Sequence, residues 1–154
     1  MTLTHKQGSL KRFRRTPWRF QQTFHTPLQK IPPFVATIVS AHGPLQAASA
    51  IIDDVVFEPK HLMSLLSSLC PASELGRDWC INATGPQETS ALLQAALSDW
   101  VDFAFVPTPK PFVIYADHDE YTTFYANTKS NLNGIVDALS RAGFESVPSC
   151  ERDF

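Results

Sequence analysis

Two runs rich in aromatic and β-branched residues, 112–116 and 121–126, are separated by only Asp117-His118-Asp119-Glu120. Such composition favours strands. A four-residue connection joins two strands only as an antiparallel hairpin, because a parallel return needs a crossover of a dozen residues or more. This pair constrains the fold most: a sheet built on it is antiparallel there. Both strands mix apolar residues on each face, which suits a sheet covered on at least one side.

The flanking segments supply helices. After "FEP", Pro59 suits a first helical turn. Leu62, Leu65, Leu66 and Leu69 then follow the i, i+3, i+4, i+7 stripe, which predicts a helix over 59–69 ended by Pro71. "DWCINATG" predicts a strand over 79–83. The helix that follows has Thr84 as cap, Gln87 as return partner, and Leu93, Ala96, Leu97 and Trp100 on one face. "DFAFVP" predicts a further strand. In "NTKSNLNGIVDALSRAGF" Asn127 or Ser130 can cap. Leu132, Ile135, Val136 and Leu139 form the stripe, and Gly143 supplies a left-handed stop with Phe144 as its apolar partner. "ESVPS" can add a last short strand. Hairpin-linked strands with flanking helices imply an α+β fold, a mostly antiparallel sheet with helices packed on one face.

Charge divides the chain. The net charge of −2 conceals a first segment, 1–52, with no Asp or Glu and seven basic residues: Lys6, Lys11, Arg12, Arg14, Arg15, Arg19 and Lys30. The remainder, 53–154, holds all 15 acids and the other six basic residues, so its balance is −9 (six minus 15). Residues 1–44 also contain five of the twelve prolines, including Pro32-Pro33, which favours extended chain. A helix around 11–25 would align Phe13, Phe20 and Phe24, but Pro17 falls inside it. Residues 1–44 are therefore expected as a weakly ordered, basic, Pro-rich arm, and residues 45–154 as one α+β domain. Lys11, Arg12, Arg14, Arg15 and Arg19, interleaved with aromatics in "KRFRRTPWRF", would suit phosphate contacts and stacking on nucleic acid. An organelle transit peptide or an anionic membrane surface also fits an acid-free, Arg-rich start.

Other classes are excluded or disfavoured. No run of about 18 apolar residues is present, so no membrane span is expected. "FVATIV" is too short and too late for a secretory signal. Cys70, Cys80 and Cys150 are odd in number and make no CxxC, which points to free thiols in a reducing cytosol, with Cys80 a small core residue. No nucleophile motif, phosphate loop or spaced metal-ligand set occurs, so no catalytic residue, cofactor or metal is expected. Adjacent side chains in a tight loop diverge, so Asp117, His118, Asp119 and Glu120 make a poor metal cradle, although a metal-dependent enzyme using this loop is the alternative. A solvated turn that protects strand edges is the plain reading. The sharper one is a partner-binding patch: the four loop residues with Tyr115, Tyr121 and Tyr125 would steer and dock a basic protein.

"YADHDEYTTFYANTKSNLNGIVDALSRAGF" resembles the C-terminal part of small bacterial immunity-type proteins, the antidotes of contact-dependent or polymorphic toxins. The resemblance is detailed over 112–144 and general over 45–150. It implies a cytoplasmic, non-enzymatic protein that binds and blocks a basic toxin. The basic front end departs from that pattern.

Overall fold

The structure, a computed structural model, describes residues 1–69 and 75–152. Among them, eight strands form one sheet: β1 (Thr2–His5), β2 (Phe20–His25), β3 (Ala47–Asp54), β4 (Trp79–Thr84), β5 (Asp102–Thr108), β6 (Val113–Ala116), β7 (Tyr121–Ala126) and β8 (Ser146–Val147). The helices are α1 (Ser9–Arg15), α2 (Ile31–Ser40), α3 (Lys60–Leu65), α4 (Gly85–Ser98) and α5 (Lys129–Arg141). Strand order is β1-β4-β3-β5-β6-β7-β2-β8, and every neighbouring pair is antiparallel. The α+β class and the 112–126 hairpin are as the sequence implies. No helix among the described residues is long and apolar enough to cross a membrane.

The largest correction concerns residues 1–44. They do not stand apart as an arm: they supply β1, α1, β2 and α2. β2 lies inside the sheet, between β7 and β8, and Phe24 is fully buried with its ring edge-on to Phe124 at 5.8 Å. The prolines sit where they cost little. Pro17 follows the end of α1, and Pro32 and Pro33 occupy the first turn of α2, where a missing N–H is harmless. The single helix over 11–25 is thus split into α1 and β2.

Alternation along the strands assigns the two faces. Phe103, Phe105, Ile114 and Phe124 point to the larger core, which α2, α3, α4 and α5 cover with Phe34, Ile38, Leu62, Leu92, Leu93 and Ile135. Ala104, Val113 and Tyr125 point the other way and meet Leu10 and Phe13 of α1. Four helices therefore share one face, and α1 lies on the opposite one.

The caps shift slightly from expectation. At α4 the carboxylate of Glu88, not Gln87, accepts from the Thr84 amide at 2.9 Å, which also places negative charge at a helix start. Thr128, rather than Asn127 or Ser130, caps α5 by accepting from the Asn131 amide at 3.2 Å. Gly143, at φ 87°, ends α5, and the Phe144 amide donates to the Leu139 carbonyl at 3.1 Å. α3 ends at Leu65; the expected stop at Pro71, like Cys70, lies outside the described residues.

A chain truncated to residues 45–154 should fail to fold cooperatively, because it loses β2 from within the sheet, the Phe34–Phe124 contact, and the cover of α1. Circular dichroism with urea titration checks this; a sigmoidal unfolding transition from the fragment would contradict it.

Candidate functional site

The hairpin tip is built by Asp117. Its Oδ1 accepts from the amides of Asp119 (3.0 Å) and Tyr121 (3.2 Å), and the Asp117 amide donates to the Tyr121 carbonyl at 3.1 Å. Glu120 closes the turn at φ 68°, a left-handed conformation that favours glycine. The other oxygen of Asp117 pairs with the Arg152 guanidinium, which also lies over the Tyr121 ring at 5.0 Å. Asp117 is thereby turned inward and neutralised. Asp119 (71% side-chain exposure) and Glu120 point outward, and no Lys or Arg among the described residues pairs with either.

His118 is held from below. Asp102 Oδ1 accepts from the His118 amide at 2.7 Å and meets the ring Nδ1 at 2.8 Å. That hydrogen bond, helped by the charges of Asp102, Asp119 and Asp117 and opposed by desolvation, raises the His118 pKa above the ordinary value. The raised value stabilises the fold below the ordinary histidine pKa of about 6.5. The contribution is lost as pH rises through the folded-state value.

The three tyrosines do not form one exposed patch. Tyr125 is buried under α1, in edge contact with Phe13 at 6.0 Å. Tyr115 is half-buried, and its hydroxyl donates to Asp53 Oδ2 at 2.7 Å. Burial first, then that bond, push the Tyr115 pKa upward, so the phenol stays protonated. Tyr121 alone is partly open at the tip, stacked obliquely with His25 at 5.5 Å.

Sequence reasoning missed Asp53. It falls in a register shift between Ile52 and Asp54, a bulge that re-aims side chains. Its carboxylate, 5% exposed, receives the Tyr115 hydroxyl and the Arg14 Nη2 (2.6 Å), and its other oxygen meets Arg77 Nη2 at 3.2 Å. Arg77 Nε also donates to the Asp53 carbonyl at 3.1 Å. Of the basic residues expected to face nucleic acid, Arg14 is thus committed internally. Lys11 and Arg15 are exposed, Arg19 sits beside Glu151 in a separate recess, and Arg12 faces a groove.

That groove, of about 690 Å³, runs between α1 and the exposed face of β1, β4 and β3. Its floor carries a polar ladder: Ser49 Oγ donates to Asn82 Oδ1 at 2.7 Å, and Asn82 Nδ2 reaches Thr4 Oγ1 at 3.4 Å. Cys80 lies here half-buried rather than in the main core, and burial raises its thiol pKa. Among the described residues, no three His, Cys, Asp or Glu side chains converge as a metal would require. Compared with protein-family models, curated proteins and solved structures, the chain matches none.

Two outcomes follow. In a D102N variant, NMR titration should show the His118 pKa falling towards the ordinary value; an unmoved pKa would remove Asp102 as the cause. D53A should lower the free energy of urea unfolding by about 2 kcal/mol, since it removes the acceptor of the half-buried Tyr115 hydroxyl while the exposed arginines rehydrate. Unchanged stability would mean that Asp53 ties nothing together.

Proposed function

We propose that the protein is a small cytoplasmic binding protein of the immunity type, which docks a basic protein partner on the acidic end of its sheet. The observation that carries this reading is the outward pair Asp119 and Glu120 on a rigid hairpin: among the described residues no Lys or Arg pairs with either, and only the His118 ring approaches Asp119, at 3.8 Å. Glu120 holds a left-handed conformation that glycine would adopt without strain, and its side chain is exposed. A residue kept against local preference is a pointer to function. Exposed Glu145 lies at the same end: its carbonyl accepts from the His25 amide, and the Glu120 carbonyl accepts from the next one, Thr26. Tyr121 offers partly open aromatic area beside them. Clustered carboxylates speed encounter with a basic surface, and deprotonation of His118 adds to that field as pH rises. A metal-dependent enzyme at this loop finds little support, since Asp117 is paired with Arg152 and His118 with Asp102.

The test is charge reversal. Tagged protein should capture a basic protein from its native host at low salt and release it at high salt. D119K/E120K should keep its circular dichroism spectrum and lose most of that capture. Equal capture by the variant would reject the acidic end as the docking surface.

A further inference from the structure

The groove between α1 and the β1–β4–β3 face has no part in the hairpin reading, and its chemistry is opposite. Lys6, Arg12 and Lys110 line it, and among the described residues no Asp or Glu does. Two of the three, Lys6 and Arg12, belong to the acid-free segment 1–52, which also supplies β1, α1 and most of β3. Its volume, about 690 Å³, is that of a small-molecule site. One cation in water attracts an anion weakly, but three around one cleft act together on a multiply charged ligand.

The floor has two halves. Ile51 and Val106, both partly exposed, give a short apolar strip suited to a flat ring. The Ser49–Asn82–Thr4 ladder beside it offers hydroxyl and amide groups that suit a sugar or a ring edge. Trp18 lines the groove, and its indole Nε1, although buried, has no acceptor among the described residues. That nitrogen is itself closed to solvent, so Trp18 offers the groove its ring and not a donor. Lys110 already leans over the Trp18 ring at 5.7 Å, which holds that cation at the rim.

We propose that this groove binds a nucleotide, with its phosphates held by Lys6, Arg12 and Lys110 and its ring on the apolar strip. The site is independent of the acidic end, so either can fail alone.

ADP is the first probe and inorganic tripolyphosphate the second, both by titration calorimetry on the full chain. Cys80 reports occupancy through its rate of alkylation, read by peptide mass mapping, since it lies in the lining. The expected result is one ADP per chain, with slowed labelling of Cys80. Affinity should fall about tenfold or more in R12E/K110E, a pair of exposed positions, with an unchanged circular dichroism spectrum. Tripolyphosphate should bind at least about tenfold more weakly than ADP, having no ring for the strip. The proposal is overturned if millimolar ADP gives no heat, if Cys80 labels equally fast with ADP present, or if R12E/K110E binds ADP as well as the parent. Equal affinity for tripolyphosphate would also overturn it, by reducing the groove to a patch of cations. So would tighter binding of a single-stranded oligonucleotide that R12E/K110E abolishes, which would give the groove to a nucleic-acid strand.

Discussion

One buried carboxylate organises the less covered side of this molecule. Asp53 gathers Arg14 from α1, Tyr115 from β6 and Arg77 from the approach to β4. A charge taken out of water is costly unless it is paired and hydrogen-bonded, so its neighbours are held where they satisfy it. α1 has only seven residues, too few to be stable alone in water. Its place depends on Leu10 and Phe13 beneath it and on the Arg14–Asp53 pair beside it. Fixing α1 fixes one wall of the groove, and through Phe13 it buries Tyr125.

The two faces of the sheet consequently have different characters. One carries four helices over a continuous apolar core, from Phe34 and Ile38 to Leu92 and Ile135. The other is covered in part by α1 and in part by the last described residues. There Gln21 accepts from the Arg152 amide at 2.9 Å, and Arg152 reaches Asp117. Among the described residues, this face keeps the groove and the smaller recess beside Arg19 open. Cations line the groove, and the outward carboxylates Asp119 and Glu120 lie at the hairpin tip. The chain thus carries two surface regions of opposite charge, and the net charge of −2 hides both.

The later half of the fold was legible because its signals are local. A four-residue link between aromatic strands fixes a hairpin, and Gly143 with Phe144 fixes the end of α5. The front end was not legible, because its structure depends on distant partners. β2 pairs with β7, about a hundred residues away, as Thr23 facing Thr123 shows. Prolines that read as a linker mark only the seam between α1 and β2 and the first turn of α2. The candidate site was half legible. Outward Asp119 and Glu120 follow from their place in a turn. The inward course of Asp117 needs Arg152, and the burial of Tyr125 needs α1, and neither contact leaves a periodic trace. Asp53 leaves no local signal, since its partners Arg14 and Tyr115 lie 39 and 62 residues away.

The groove and the Asp53 cluster both require α1 to lie on the sheet. The most direct measurement is a nuclear Overhauser effect between the ring protons of Phe13 and Tyr125, whose centroids are 6.0 Å apart. Clear cross-peaks between these rings, with helical shifts for Ser9–Arg15, are the predicted result. Random-coil shifts for that segment and no contact between the rings would contradict it.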